Sequence, residues 1–237
     1  MPICAYCGKS EKLTREHVFS VAITPPDYNT IVDHTRNKIH KSHPTVKDVC
    51  KACNNHLLSP LDAYGKQLND EYFLKSPITP IEFKYSYSLL ERLLLKMAYN
   101  NERARHNPKD VELFKNLAPY IIAKQNFSPN KIDILVGLVK PDDNFEPGVY
   151  RFANLTTNPP HPHLLLGRFI CFRHYIFAVL IWNDLLDTNE RKETIQQISK
   201  LDEMTLVSPK SDLTLISSYF LDAQEYLKKT PIALWPK

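Results

Sequence analysis

Residues 4–9 read CAYCGK and residues 50–55 read CKACNN, and these two stretches decide the fold of the N-terminal part of the chain. Two residues between cysteines let both thiolates of a pair bind one ion, and two such pairs complete a tetrahedron. Residues 8–49 must then form a module that is looped out between the pairs. We predict one structural zinc ion, held by Cys4, Cys7, Cys50 and Cys53. The alternative is that these are four free or buried cysteines.

The composition is that of an ordinary globular protein. Of the 237 residues, 43% are hydrophobic and 24% are charged, and the formal net charge is +4. These values exclude a disordered chain, a collagen and a bare coiled coil, and the mild positive charge permits nucleic acid as a partner. No apolar run reaches the roughly 18 residues of a membrane span, and the first residues do not resemble a signal peptide. We therefore expect a cytoplasmic protein without a membrane partner.

The uneven distribution of cysteine and histidine and the positions of turn residues divide the chain into two predicted units. Residues 1–75 are turn-rich and carry four of the five cysteines, whereas residues 76–237 form a mixed α+β unit with apolar sequence enough for its own core. In the first unit we predict a strand near residues 13–18 and a long loop with little regular structure at 19–48. A helix is predicted to start at the Ser59-Pro60 pair, a typical cap followed by proline.

In the second unit, apolar spacing predicts helices and strands, and it favours one buried β-hairpin. The hairpin strands are residues 164–172 and 175–182, which are apolar, β-branched and aromatic. Cys171 lies inside the first of them and is interpreted as a small core hydrophobe. The other elements are predicted as helices at 86–107, 110–124, 190–201 and 217–229, and as strands at 132–139 and 148–153.

Glu16-His17-Val18 follows the first predicted strand, Asn54-Asn55 follows Cys53 directly, and Leu61-Asp62 comes shortly after. With the four-cysteine frame, this pattern over residues 4–66 resembles the HNH endonuclease superfamily, and most closely its zinc-bearing subgroup called HNH type 5. The resemblance implies a small zinc-bound ββα-metal module at the N-terminus. In that module the zinc ion would pin the strand that bears the base to the helix that bears a metal ligand.

The resemblance also implies the chemistry of a metal-dependent endonuclease. His17 would be the general base, and Glu16 and Asn54 would hold a catalytic Mg²⁺ or Mn²⁺ ion, with His56 as a further candidate ligand. Hydrolysis of the phosphodiester would leave 3′-hydroxyl and 5′-phosphate ends, with DNA favoured over RNA as substrate. Stand-alone bacterial proteins of this type are often effectors of antiphage defence, or toxins.

Each of these residues also has a plainer interpretation. His17 can be a packing histidine, Glu16 an exposed acid beside Arg15, and Asn54 a cap for backbone donors. Asn55 competes with Asn54 for the ligand role. Asp62 is predicted to stabilise the following helix N-terminus rather than to bind metal.

The sequence departs from the family pattern before the second cysteine pair. The family's middle asparagine, which orients the loop that bears the base, has no counterpart there, since the nearest one upstream is Asn37. His40 or His43 is the candidate for that role. Together with His34 and nearby basic residues they form a loop that either contacts phosphates or is simply solvated.

Basic residues also mark the polar side of the predicted helix at 86–107. We predict a solvated face there, with contact to DNA as the alternative. These residues are Arg92, Lys96, Arg103 and Arg105.

Two other functions stay open at this point. One is a non-catalytic zinc module that binds nucleic acid or protein, for which only the four cysteines are needed. The other gives the main role to the C-terminal unit, as a sensor or as a docking unit for a protein partner such as an ATPase.

Overall fold

The structure is a computed structural model that describes residues 2–24, 30–33, 38–40, 44–128, 130–143, 149–155, 160–183, 188–197, 201–222, 225 and 232–235. It is a mixed α+β fold with antiparallel sheets. The strands are β1 (Leu13–His17), β2 (Thr30–Asp33), β3 (Lys38–His40), β4 (Thr45–Cys50), β5 (Ile81–Lys84), β6 (Lys131–Leu138), β7 (Tyr150–Asn154), β8 (Leu164–Phe172), β9 (Tyr175–Trp182), β10 (Thr205–Leu206), β11 (Leu213–Ile216) and β12 (Ile232–Trp235). The α-helices are α1 (Ser59–Leu68), α2 (Tyr87–Ala104), α3 (Pro108–Ile121) and α4 (Thr188–Gln197).

The large sheet has eight strands in the order β10-β6-β9-β8-β7-β12-β2-β3. Its central pair is the predicted hairpin of β8 and β9, which is confirmed, with Phe172 opposite Tyr175 at the turn. Both strands are almost entirely buried, as expected for continuous apolar runs. Cys171 is fully buried in an apolar cluster on one face of this sheet, which confirms its prediction as a core residue.

The expectation of a long loop at residues 19–48 was wrong in part. The segment contains β2 and β3, and β2 pairs with β12 near the other end of the chain. That partner is more than a hundred residues away in sequence, so local proline and turn signals carried no information about the pairing. Residues 25–29, 34–37 and 41–43 of this loop lie outside the described residues, and so do His34 and His43 with them. The side chain of His40 is not described either.

The helix predicted at residues 217–229 was also wrong over residues 217–222, the part that the structure describes continuously. There the chain runs along the sheet edge, and Leu221 forms a parallel bridge to Val139. Phe220 donates its backbone N–H to Leu138 O at 2.8 Å. Its ring lies over Gly137, where an added Cβ would come within 2.8 Å of the Phe220 Cβ. Burial of that ring against the sheet outweighs the helical spacing of the segment.

The N-terminal part is built from a strand pair and a helix. β1 and β4 pair antiparallel, and a π-helical segment, Cys53–Leu58, leads directly into α1. One hydrophobic cluster includes Val49 and Leu61 of this part together with Leu93 of α2 and Ile170 of the large sheet. The division into units at residues 1–75 and 76–237 stays a prediction.

α2 is the central helix of the molecule, and its predicted position is confirmed. Nearly every residue from Leu90 to Arg103 is buried, because α1 and α3 pack against it. α3 starts at Pro108 after the cap Asn107, whose side chain accepts a hydrogen bond from the Asp110 N–H. Among the described helices, none is long and apolar enough to cross a membrane.

Candidate functional site

The four predicted ligands come together in the structure. The Sγ atoms of the two cysteine pairs all lie within 4.8 Å of one another, and Cys7 Sγ is 3.7 Å from Cys50 Sγ. A tetrahedron with Zn–S bonds of about 2.3 Å has an edge of about 3.8 Å, and the distance between Cys7 Sγ and Cys50 Sγ agrees with that edge. The cluster can therefore hold a metal ion such as zinc.

Backbone amides support the sulfur atoms. Cys50 N–H donates to Cys4 Sγ at 3.3 Å, and Cys53 N–H donates to Cys50 Sγ at 3.5 Å. Burial acts to raise the pKa of Cys4, but backbone hydrogen bonds outweigh it and lower this pKa to about 7. Burial raises the pKa of Cys53. The Cys53 thiol must therefore lose its proton when a cation binds to its sulfur. Gly8, just after the first pair, has a φ of +71°, a conformation that glycine adopts without strain.

The first cysteine turn is fixed to β4 as well as to the cluster. Ala5 N–H donates to Asp48 O at 2.8 Å, and Gly8 N–H donates back to Cys4 O at 3.0 Å. Cys50 ends β4, and Cys53 begins the helix that follows. A metal ion in the cluster would therefore tie the N-terminal turn to the junction between the hairpin and the helix.

Glu16 lies near the end of β1, and it is buried rather than exposed. Its carboxylate is 2.8 Å from Lys96 Nζ of α2, and the same ammonium is 2.8 Å from the carboxylate of Asp62. Burial raises the pKa of Glu16, and the Lys96 ammonium acts against that shift. Asp62 also lies in the first turn of α1, which agrees with its predicted effect on the helix N-terminus.

His17 is the last residue of β1 and is half-buried. Burial lowers the pKa of His17, the Lys96 ammonium lowers it further, and the Asp62 carboxylate opposes both. The imidazole is therefore held in its neutral form near pH 7. A neutral imidazole can accept a proton, which is what a general base must do.

Asn54 anchors the helix to β1. Its amide nitrogen donates to Arg15 O at 2.8 Å and to Thr14 Oγ1 at 3.0 Å. The next two residues, Asn55 and His56, are exposed. The side chain of Asn54 thus holds the backbone just before Glu16, a use that the sequence pattern did not indicate.

The structure brings the predicted zinc ligands together, but it does not bring the predicted ligands of the catalytic cation together into a site ready to hold an ion. Within the described residues, the four-cysteine cluster is the one group of three or more His, Cys, Asp or Glu side chains close enough to hold an ion. Lys96 already occupies the carboxylate of Glu16, and His56 is exposed. As arranged, these donors do not fit a hard divalent ion, so we derive no step through one. The assignment of Mg²⁺ or Mn²⁺ to Glu16, Asn54 and His56 stays a prediction.

The polar residues of α2 are the part of the site that sequence reasoning missed. The predicted solvated face was wrong for Lys96 and Arg103, which are 2% and 7% exposed. Arg103 donates to Asp48 at 3.0 Å, and its guanidinium lies over the rings of Tyr6 and Tyr99. Their partners outside α2 lie in β1, β4, α1 and the first cysteine turn, so the helical period alone carried no signal for this burial.

A cavity lies beside the first cysteine turn. It measures about 1440 Å³ and is bordered by this turn, β4, the end of α2 and α3, with Lys47, Arg105 and Lys115 among its lining residues. The residues just after His17 also line it, but His17 itself does not. The cavity therefore adjoins the candidate site without containing its base.

Comparisons with protein-family models, with curated proteins and with solved structures found no match.

Proposed function

We propose that the chain is a zinc-stabilised endonuclease of the HNH type, which hydrolyses phosphodiester bonds in nucleic acid, DNA in preference to RNA. The observation that carries the proposal is the placement of His17. A half-buried imidazole with a lowered pKa stands at the end of β1, and a four-cysteine cluster fixes the adjoining strand and helix. The antiparallel pair of β1 and β4 and the helix that follows β4 support the proposal of a ββα unit. A role in bacterial defence is part of the same proposal.

In the proposed reaction, His17 removes a proton from a water molecule as the water oxygen attacks phosphorus. The bond from phosphorus to the 3′-oxygen breaks, and the 3′-oxygen takes up a proton from solvent. The products are a 3′-hydroxyl and a 5′-phosphate. Phosphodiester hydrolysis also needs positive charge near the phosphate, and Mg²⁺ or Mn²⁺ would supply it when bound.

The lowered pKa of His17 gives a prediction for the pH profile. Because only neutral imidazole acts as a base, activity must fall as His17 becomes protonated. Burial and Lys96 hold its pKa below the ordinary value of 6.5. We therefore expect the midpoint of the acid-side decline in kcat/KM to lie below pH 6.5. The measurement is kcat/KM across the acid range with zinc-loaded protein, and a decline that is centred above 6.5 would contradict the assignment.

The structural zinc ion and the proposed catalytic cation should respond differently to a chelator. Four thiolates form a soft, closed site, whereas a cation at the substrate would be hard and open to water. Brief EDTA treatment should stop cleavage without loss of zinc or fold, and Mg²⁺ or Mn²⁺ should restore it. If the protein still cleaves after EDTA treatment and still contains its zinc, the reaction does not need a second divalent cation.

One observation favours the second candidate function, a zinc module that binds nucleic acid or a protein without cleaving it. Lys96 pairs with both Glu16 and Asp62, so the acidic residue expected to bind a catalytic ion already has a structural role. In that case His17 would also serve packing alone. A protein that binds DNA with zinc in place, and leaves it uncut with Mg²⁺ or Mn²⁺ present, would support this second function.

A further inference from the structure

We infer that Asn100 of α2 is a positioning residue, which holds the end of β1 and thereby fixes His17 for the reaction. The inference rests on the proposed function for its catalytic consequence. It assigns a role in the site to a helix that lies outside the predicted N-terminal unit.

Asn100 forms a direct hydrogen bond to the backbone of His17, the proposed general base. Its side chain is fully buried, and its amide nitrogen donates to His17 O at 3.0 Å. The same nitrogen is 3.5 Å from Glu16 Oε1, at the outer limit of a hydrogen bond. The contact to His17 is therefore the principal bond that this amide group donates.

The orientation of the Asn100 amide is fixed from its other side. Tyr6 OH donates to Asn100 Oδ1 at 2.7 Å, and the Arg103 guanidinium donates to the same oxygen. Because two donors face Oδ1, the nitrogen has to point toward His17. Tyr6 lies between Cys4 and Cys7, so this chain of contacts connects the cysteine cluster to the base.

Lys96 fixes the neighbouring residue from the same helix face. It precedes Asn100 by one turn, and residues four apart on a helix project to the same side. Its ammonium holds Glu16 and Asp62 at 2.8 Å each. α2 therefore holds β1 at two successive residues, by the side chain of Glu16 and by the carbonyl of His17.

Packing alone does not require a buried polar network. A fully buried amide loses its hydration, and apolar groups in place of the amide and of all its partners could be as stable. The hydrogen bonds among Tyr6, Arg103 and Asn100 instead specify one position for the His17 backbone. A displacement of about 1 Å at a catalytic group can cost about 10²-fold in rate.

The test uses Asn100→Asp, with Asn101→Ala as the matched control. The aspartate keeps an acceptor for Tyr6 and Arg103, and it replaces the donor to His17 with a carboxylate oxygen that faces His17 O and the Glu16 carboxylate. Asn101 is also buried on α2. Its side-chain amide nitrogen donates a long hydrogen bond, 3.5 Å, to the carboxylate of the adjacent Glu102. We expect Asn100→Asp to lower kcat by about 10²-fold with KM and zinc content unchanged. Asn101→Ala should leave kcat near that of the wild type.

Hydrogen exchange supplies a readout that does not depend on activity. In Asn100→Asp, exchange should rise over residues 13–20 and stay unchanged in β8 and β9. Tyr6→Phe removes one of the two hydrogen bonds that orient the Asn100 amide. It should lower kcat and raise exchange over residues 13–20, each by less than Asn100→Asp does. If Asn100→Asp behaves like Asn101→Ala in kcat and in exchange, the inference is wrong. If the wild-type protein does not cleave, the proposed function fails, and the exchange result still decides whether Asn100 holds the His17 segment.

Discussion

Cys50→Ser should abolish zinc binding and destabilise the whole N-terminal part of the chain. Cys50 joins β4 to the following helix, and its Sγ lies 3.7 Å from Cys7 Sγ in a cluster that brings both cysteine pairs together. Binding of structural zinc contributes about 10–16 kcal/mol in isolated zinc modules. Loss of a metal site belongs to the mechanisms that cost more than about 4 kcal/mol of stability. Zinc content by elemental analysis and the thermal unfolding midpoint measure the effect.

Cys171→Ala is the matched control for the loss of a thiol. Cys171 is equally buried but lies in β8, within the apolar cluster of the large sheet. Its replacement should leave one zinc ion per chain and lower stability only by the cost of a small cavity. If protein prepared without chelator contains no zinc, or if Cys50→Ser retains it, the four cysteines are not a zinc site.

His17→Ala should remove cleavage while the fold and the zinc content stay intact. Loss of a general base typically costs about 10² to 10⁴ in rate. The imidazole is half-buried at the end of a strand, so its removal leaves no buried charge without a partner. Steady-state cleavage rates at neutral pH, normalised to zinc content, measure the effect.

His163→Ala controls for the loss of a histidine far from this site in the sequence. His163 precedes β8 and contacts Asn183, and neither residue belongs to the N-terminal part. This variant should cleave at the wild-type rate. Full activity in His17→Ala would mean that the base is elsewhere, and His40 and His43 would be the next candidates.

The parts of the molecule that local sequence could predict are those fixed by short-range chemistry. The two cysteine pairs follow from their own spacing, and the hairpin of β8 and β9 follows from two continuous apolar runs. The strand that ends at His17 and the helix that begins after Cys53 were also predicted within a few residues. Each of these depends on contacts within one segment, or on ligands of a single ion.

The rest depends on pairs of residues that are distant in sequence. β2 becomes a strand because β12 lies beside it. Lys96 is buried because Glu16 and Asp62 face it. From periodicity alone, a lysine on the polar side of a helix is expected in water, and only tertiary packing reverses that expectation. The contact between Asn100 and His17 was invisible for the same reason.

Cleavage of labelled nucleic acid by zinc-loaded wild-type protein tests the central claim most directly. Duplex DNA, single-stranded DNA and RNA are incubated with Mg²⁺ or Mn²⁺, with His17→Ala in parallel, and the product ends are identified. We expect the wild-type protein to cut at least one of these substrates, DNA foremost, and to leave 5′-phosphate ends, and we expect His17→Ala not to cut. If a folded, zinc-containing wild-type protein binds these substrates and cuts none of them, the proposed function is wrong.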